Sequence, residues 1–235
     1  MGNYMIKFVV GKPALIVDEN LVIGDLHIGL EEKLAERGIN IEDLSKRMGV
    51  EARMLFDESK AKRIIILGDV KDSITYPTRI GYSKLKDFFD ELKGIEIIIL
   101  KGNHDAHIKE VLELLHLDYN VEKELLLKEA ALLHGNSYPS KDALRKKYLI
   151  MGHVHVAYGP IGGSMEKIWI IAESRKKHKL ILVPAFNPII TGSNIRNWDT
   201  DIGIFRAGSF NINTAKVFSL DGKLLGLLGE LANRA

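Results

Sequence analysis

Short runs of apolar, mostly β-branched residues recur along the first half of this 235-residue chain, and longer amphipathic stretches separate them. Three runs predict strands, at residues 21–24, 63–67 and 95–100. Three stretches predict helices, at residues 30–60 with a break near Gly38, 84–92 and 106–115. Because these strands are apolar throughout and alternate with helices, they predict a parallel sheet covered on both faces.

The second half of the chain predicts short strands, at residues 125–133, 148–151, 168–172, 180–183, 216–220 and 223–228. Asp221 and Gly222, between the last two, are typical of a two-residue hairpin turn. We therefore expect this half to be mostly antiparallel. The whole layout predicts an α/β fold, a four-layer α/β/β/α sandwich of two mixed sheets with outer helices. No linker or repeat divides the sequence, so we expect a single domain over residues 1–235.

Composition excludes several classes of function. The chain has no cysteine, so disulfides and thiolate metal sites are impossible. Its net charge of +2 is too small to hold nucleic acid by bulk charge, and the basic clusters at 145–147 and 175–179 are expected to be solvated. We expect Trp198 to pack beneath its loop. No apolar run reaches the ~18 residues of a membrane span, and residues 1–10 do not resemble a signal peptide, so we expect a cytoplasmic protein without a membrane partner.

Polar residues that can bind metal ions follow five of the predicted strands, mostly beside glycine. They are Asp25 and His27; Asp69; Asn103, His104 and Asp105; His134; and His153 and His155. The first three gaps between these groups are 44, 34 and 31 residues long. A βαβ unit takes about 30 residues or more, so the chain can return each time to the same edge of the sheet. Because open α/β sheets bind ligands at that edge, we expect the five loops to converge there.

The donor types indicate which ligand these loops would hold. Five of the eight histidines lie at the strand ends. A turn or capping role explains Asp25 alone equally well, but it does not explain all five loops together. Imidazole, carboxylate and amide donors without sulfur suit Mn²⁺, Fe²⁺, Co²⁺, Ni²⁺ or Zn²⁺. Seven candidate ligands are too many for one ion with an open position, so they indicate two ions about 3.5–4 Å apart that share a carboxylate.

The order of the motifs resembles that of a known family. Asp-x-His, Gly-Asp, Gly-Asn-His-Asp, His and Gly-His-x-His occur in sequence from Asp25 to His155, as in the calcineurin-like metallophosphoesterase superfamily. Residues 24–31 with 37–39, and residues 183–186 with 191–192, resemble two narrower groups. These are archaeal phosphoesterases related to break-repair nucleases and bacterial phosphodiesterases encoded beside DNA-repair helicases and ligases. The resemblance implies the metallo-dependent phosphatase fold.

The resemblance also implies a role for each motif residue. One ion would be held by Asp25, His27, Asp69 and His155, and a second by Asp69, Asn103, His134 and His153. His104 would be a catalytic residue that faces the scissile phosphate without binding metal. Asp105 would orient His104 by accepting its ring N–H. Capping of a helix that starts near Ala106 is the alternative role for Asp105.

The implied activity is hydrolysis of a phosphodiester by a hydroxide formed on two divalent metal ions. Mn²⁺ is favoured, with Ni²⁺, Co²⁺, Fe²⁺ or Zn²⁺ as alternatives. Candidate substrates are cyclic nucleotides, 2′,3′-cyclic phosphates and nucleic-acid ends, and a DNA-repair protein is an expected partner. A phosphomonoesterase and a DNA or RNA nuclease are alternatives on the same site. A non-enzymatic scaffold is disfavoured by the presence of His104 and of all seven ligand positions. A protein phosphatase is disfavoured by the loop at residues 70–73, because Ser/Thr protein phosphatases of this superfamily carry an arginine there and this loop has none.

Overall fold

The computed structural model describes residues 5–160, 163–174, 177–195, 204 and 210–233. Residues 175 and 176 of the second basic cluster, and Trp198, lie outside the described residues. Five α-helices are described: α1 (Leu30–Glu36), α2 (Ser45–Ser59), α3 (Arg79–Glu91), α4 (Ile108–Leu114) and α5 (Leu228–Ala232). Short 3₁₀ helices span Ala143–Arg145 and Ile212–Thr214. Among the described residues, no helix is long and apolar enough to cross a membrane.

The first sheet has six strands in chain order: β1 (Ile6–Phe8), β2 (Leu15–Val17), β3 (Asn20–Ile23), β4 (Arg63–Ile66), β5 (Glu96–Leu100) and β6 (Asn120–Glu122). β1, β2 and β3 pair antiparallel. β3, β4, β5 and β6 pair parallel, with helices in the connections, as the sequence predicts. The carboxyl ends of β3, β4 and β5 therefore lie side by side.

The second sheet contains β7 (Glu124–Leu126), β8 (Ala130–Leu133), β9 (Tyr148–Met151), β10 (Val156–Tyr158), β11 (Glu166–Glu173), β12 (Lys179–Leu182), β13 (Ser193–Asn194), β14 (Lys216–Ser219) and β15 (Leu224–Leu227). Its order is β13-β10-β11-β12-β9-β8-β7, and β14 pairs with β11 and β15. β8, β9 and β12 run parallel, and the pairs on either side of them are antiparallel. The sheet is therefore mixed.

Strand alternation divides the apolar side chains into three layers. Ile64 and Ile66 of β4 face the helices, whereas Ile65 faces the second sheet. In the same way, Ile150 of β9 faces the first sheet, and Leu149 packs on the outer side with α5 and the 3₁₀ helices. The central layer thus joins two sheets, and each outer layer joins one sheet to helices. The predicted four-layer sandwich of two mixed sheets is confirmed.

Several elements differ from the sequence-based expectation. Residues 125–133 form two strands and not one, because the chain turns at Lys128 and Glu129 and the Leu127 N–H donates to the Ala130 carbonyl. Helix α3 begins before residue 84, since the Thr78 hydroxyl accepts from the Gly81 N–H and caps it. The break near Gly38 extends over residues 37–44. Strands β1, β2, β6, β10 and β13 are short and were not expected.

The loss of the largest side chain in the central layer should strongly reduce the stability of the protein. Trp169 is 2% exposed between the sheets, and its ring packs edge-on against Phe8 at 4.7 Å. Trp169→Ala should reduce the free energy of unfolding by about 3–5 kcal/mol, because it removes buried contacts and leaves a cavity. Urea denaturation followed by circular dichroism measures this. Leu114→Ala, at an exposed position of α4, is the control, with an expected change within about 0.5 kcal/mol. Similar losses of stability in both variants would contradict the central position of Trp169 in the core.

Candidate metal centre

The five predicted loops converge at one end of the sandwich. Asp25 follows β3, and its N–H donates to the Gly68 carbonyl in the loop after β4. The His27 N–H donates to the Asp69 carbonyl at 2.8 Å, so these two loops lie in contact. From the second sheet, the His153 N–H after β9 donates to both carboxylate oxygens of Asp25. The predicted convergence is therefore confirmed, and both sheets contribute to one site.

The first predicted ligand group is assembled as a compact cluster. Asp25, His27, Asp69 and His155 each offer one ligand atom, and these atoms lie within 4.8 Å of one another. The His155 Nε2 is 3.2 Å from the His27 Nε2 and 3.2 Å from the Asp25 Oδ1. Donors bound to one ion at about 2.1 Å are separated by similar distances.

The second group shares a carboxylate with the first. Asp69, His134 and His153 also have ligand atoms within 4.8 Å of one another. The Asp69 Oδ2 is 3.3 Å from the His134 Nε2 and 3.4 Å from the His27 Nε2, so one oxygen lies between the two groups. The Asn103 Oδ1 is 3.1 Å from the same His134 nitrogen. All seven residues expected to bind metal are thus brought together.

Burial and mutual charge perturb the pKa values of this cluster. Burial alone would raise the pKa of Asp69, but hydrogen bonds from His134 and from the His104 N–H outweigh it and hold the pKa below its usual value. Burial alone would lower the pKa of His134, but Asp69 and Asp25 raise it to about 9. Burial and the charge of His134 lower the pKa of His153 to about 4. A cation entering the site must therefore displace the proton on His134.

Hydrogen bonds on the far side of two imidazole rings select the nitrogen that faces the site. The His134 Nδ1 lies 2.6 Å from the Leu67 carbonyl oxygen, which can only accept, so Nδ1 carries the hydrogen. The His27 Nδ1 lies 3.2 Å from the Asp72 Oδ1, a carboxylate oxygen that accepts, so this Nδ1 also carries a hydrogen. In the neutral form of each ring, Nε2 therefore carries the lone pair on the side that faces Asp69. This is how histidine ligands are held around metal ions.

Five of the seven predicted ligands adopt a left-handed backbone conformation. They are Asp25, His27, Asp69, His153 and His155, with φ between 41° and 70°. Side chains other than glycine rarely adopt such angles, and each costs on the order of 1–3 kcal/mol. Strained residues of this kind cluster at functional sites because the surrounding structure holds them there. No residue pattern predicts this backbone strain, because aspartate and histidine occur in every backbone conformation.

Two glycines allow the loops to approach the carboxylates. A Cβ atom built on Gly102 would overlap the Asp69 carboxylate, and one built on Gly152 would lie 2.6 Å from the Asp25 Oδ2. Any other residue at these positions would push the loops after β5 and β9 away from the cluster. Glycine at these two positions is therefore a packing requirement of the site.

His104 lies beside the cluster, but its hydrogen bonds differ from the expectation for Asp105. The His104 Nδ1 lies 2.6 Å from the Asp72 carbonyl oxygen, and its backbone N–H donates to the Asp69 Oδ1 at 2.8 Å. The two carboxylate oxygens of Asp105 accept instead from the backbone N–H groups of Val70 and Gly102. The expected contact between Asp105 and the His104 ring is therefore wrong. Asp105 joins the loops after β4 and β5.

Asp72 and Lys71 were missed by the sequence analysis as parts of the site. The Asp72 side chain bonds to His27 and pairs with Lys33 at 2.6 Å, while its carbonyl holds His104. Asp72, His27 and His104 also form a compact group, but both Asp72 oxygens already have partners, so we interpret Asp72 as a positioning residue. The signal in the sequence was an Asp three positions after Asp69, in the same strand-end loop.

Lys71 is the buried anchor of this loop. Its ammonium group is within hydrogen-bond distance of the carbonyls of Ser73, Ile74, Thr75 and His104. The side chain is almost fully buried, and burial lowers its pKa from the usual value. Lys71 thereby fixes the backbone on both sides of the His104 ring.

The late segment that resembled the narrower groups packs against the site. The Phe186 N–H donates to the Gly24 carbonyl, and the buried Asn187 side chain donates to the Leu26 carbonyl. The Lys167 ammonium binds the Asn187 carbonyl from the other side, and burial lowers the pKa of Lys167 to about 8. The segment thus supports the loop that carries Asp25. Taken together, the buried Asp/His cluster is consistent with a site for two divalent ions.

Comparisons with known proteins agree with this geometry. The family model for calcineurin-like phosphoesterases matches residues 21–207. The crystal structure of the Pseudomonas putida nuclease MPE aligns with a TM-score of 0.63 at 20% identity, covering 95% of this chain and 100% of that chain, which shows a common fold. The phosphoesterase Yfce from E. coli aligns with a TM-score of 0.44 at 19% identity, covering 88% of this chain and 96% of that chain. No curated protein matches the sequence.

Replacing the buried anchor should destabilise the protein. Lys71→Met removes the donor from four partly buried carbonyls, and each such group that water cannot reach costs about 1–3 kcal/mol. We expect the free energy of unfolding, measured in urea, to fall by about 2 kcal/mol or more. Lys33→Met is the matched control, because the Lys33 side chain is half-exposed and its pair with Asp72 should contribute less than about 1 kcal/mol. Equal effects of the two substitutions would show that Lys71 is not an anchor.

Proposed function

The chain belongs to the calcineurin-like phosphoesterase family, and we propose that this metal-dependent phosphoesterase hydrolyses phosphodiesters. The observation that carries the proposal is the carboxylate of Asp69, which lies between two donor groups with His104 against it. A shared carboxylate is what a pair of closely spaced ions requires. The inter-sheet layer that brings the two groups together also supports the proposal that residues 1–235 form a single domain.

We propose that two donor sets hold the ions. The first contains Asp25, His27, Asp69 and His155; the second contains Asp69, Asn103, His134 and His153. Nitrogen and oxygen donors without sulfur suit first-row divalent ions, of which we propose Mn²⁺, with Ni²⁺, Co²⁺, Fe²⁺ or Zn²⁺ as alternatives. When bound, two such ions lower the pKa of a water molecule and offset charge on phosphate oxygens.

His104 is the proposed acid of the reaction. Its Nδ1 hydrogen is donated to the Asp72 carbonyl, so Nε2 is the atom left to meet the substrate. In the protonated ring, Nε2 can give its proton to the alkoxide that leaves the phosphorus. The His104 N–H bond to Asp69 keeps the ring next to the shared carboxylate. Asp72 and Asp105 act as positioning residues for these loops.

The charges near the site favour a diester over a monoester. A phosphomonoester is a dianion near neutral pH, and basic side chains are the usual partners of its extra charge. The loop at residues 70–73 has no arginine, whereas the Ser/Thr protein phosphatases that the motifs resemble carry one in this loop. Lys71 uses its ammonium group on backbone carbonyls, and Lys33 is paired with Asp72. A phosphodiester carries a single negative charge, which two bound cations can neutralise without a basic side chain.

A substrate panel tests the proposed function. The protein reconstituted with Mn²⁺ should hydrolyse bis-p-nitrophenyl phosphate faster than p-nitrophenyl phosphate, and EDTA should abolish both activities. Cyclic nucleotides, 2′,3′-cyclic phosphates and linear DNA and RNA then identify the diester class. Faster turnover of the monoester would favour the phosphomonoesterase alternative. Absence of turnover with every ester and every first-row ion would favour a scaffold.

Removal of the shared carboxylate should empty both sites. Asp69→Ala takes a ligand from each donor set, and we expect elemental analysis after reconstitution and desalting to find neither ion retained. Asp142→Ala, at an exposed position, is the control and should retain as many ions as the unmodified protein. Retention of one ion by the Asp69 variant would show that the carboxylate does not serve both sites.

Removal of His104 should separate metal binding from catalysis. His104→Ala takes no ligand from either donor set, so its metal content should be unchanged, whereas kcat on the diester should fall by about 10²–10⁴-fold. His116→Ala is the matched control, because His116 is exposed after α4. If His104→Ala turned over at the unmodified rate, the proposed acid would be misassigned.

A further inference from the structure

An exposed pair of stacked rings lies next to His104 in the chain. The rings of Tyr76 and His107 are parallel to within 20°, with centroids 4.5 Å apart. Tyr76 is 49% exposed and the His107 side chain 47% exposed. In a stacked pair each ring covers one face of the other, so exposure of about one half leaves an outer face open to solvent. Ile74, in the same loop as Tyr76, is exposed as well. We call Tyr76 and His107 the stacked pair.

The stacked pair is fixed relative to the proposed catalytic residue. His107 is three residues from His104, so their Cα atoms are at most about 11 Å apart. Tyr76 belongs to the loop whose carbonyls at Ser73 and Thr75 bind the Lys71 ammonium, and the same ammonium binds the His104 carbonyl. The Ser73 hydroxyl also donates to the Tyr76 carbonyl. One buried lysine therefore joins the backbone that precedes Tyr76 to the His104 backbone, and His107 stacks on Tyr76.

We propose that the stacked pair binds a nucleobase attached to the phosphodiester that the site cleaves. This inference rests on the proposed function and specifies its substrate as a nucleotide or an unpaired nucleic-acid strand. Open aromatic faces are the recognition element for unstacked bases, because every base presents a flat π surface. A base that is already stacked in a duplex cannot offer that surface, so the substrate must be single-stranded or mononucleotide at this position.

Glu110 places a charged group against the stacked pair, 3.8 Å from the His107 Nδ1. The basic residues that could bind the phosphates of the same substrate line a groove close to His107 in the chain. Lys101 and Lys109 are exposed on either side of the His104 segment and line one groove of about 500 Å³ with Lys123. Glu122 and Glu124 also line this groove, so its net charge is only weakly positive. Lys109, which lines this groove, is two residues after His107 in the chain, and a weakly basic groove suits a short strand with few phosphates better than a long polyanion. This agrees with the small net charge of the chain.

Two chromogenic diesters test the proposal through activity. Thymidine 5′-(p-nitrophenyl phosphate) carries a base, and methyl p-nitrophenyl phosphate does not. The ratio of kcat/KM for the first to that for the second should fall by on the order of five- to a hundredfold in Tyr76→Leu, mainly through KM. Tyr76→Phe is the matched control, because it keeps the ring and should keep the ratio. The proposal would be overturned if Tyr76→Leu left this ratio unchanged, whether it slowed both esters equally or slowed neither.

A binding measurement separates this inference from the proposed function. Fluorescence anisotropy in EDTA, where hydrolysis is stopped, compares a fluorescein-labelled five-nucleotide thymidine strand with its abasic counterpart. The unmodified protein should bind the base-containing strand more tightly, Tyr76→Phe should preserve the difference and Tyr76→Leu should remove it. Equal binding of both strands by the unmodified protein would overturn the inference, even if both diesters are hydrolysed. A base-dependent difference without any hydrolysis would support the stacked pair and count against the proposed function alone.

Discussion

The carboxylate of Asp69 is the constraint on which the site depends. Its Oδ2 lies 3.4 Å from a nitrogen of His27, supplied by the first sheet, and 3.3 Å from a nitrogen of His134, supplied by the second. Neither sheet alone contains both donor groups. The site therefore exists only when the apolar faces of the two sheets are packed together, and the central layer around Trp169 is as necessary for function as the ligands are.

The site is held in a conformation that its residues would not adopt alone. Asp25, Asp69 and three of the histidines have left-handed backbones, and the carboxylates are almost fully buried. Backbone hydrogen bonds between loops offset part of this cost, as do the bonds from His153 to Asp25 and from His104 to Asp69. Cations that bind only the folded state would stabilise it further by mass action. Such a site is preorganised, so little rearrangement is needed when a substrate enters.

The sequence predicts the parallel strands and the convergence of their ends well, because apolar runs such as 63–67 and the polar groups after them are local signals. It does not predict the hydrogen bonds that hold the metal-ligand side chains and His104 in position. Asp72 and Lys71 act through carbonyls and rings up to 45 positions away, and only the folded chain shows such contacts. For the same reason Asp105 was assigned to the wrong partner. The hairpin at Lys128 was missed because apolar residues lie on both sides of its turn and the turn contains no glycine, proline or asparagine.

Anomalous diffraction from crystals grown with Mn²⁺ tests the central claim most directly. Data collected on both sides of the manganese absorption edge should show two peaks about 3.5–4 Å apart, with Asp69 between them. One peak should lie among Asp25, His27 and His155, and the other among Asn103, His134 and His153. A single peak, or side chains directed away from one another with no anomalous density between them, would contradict the account.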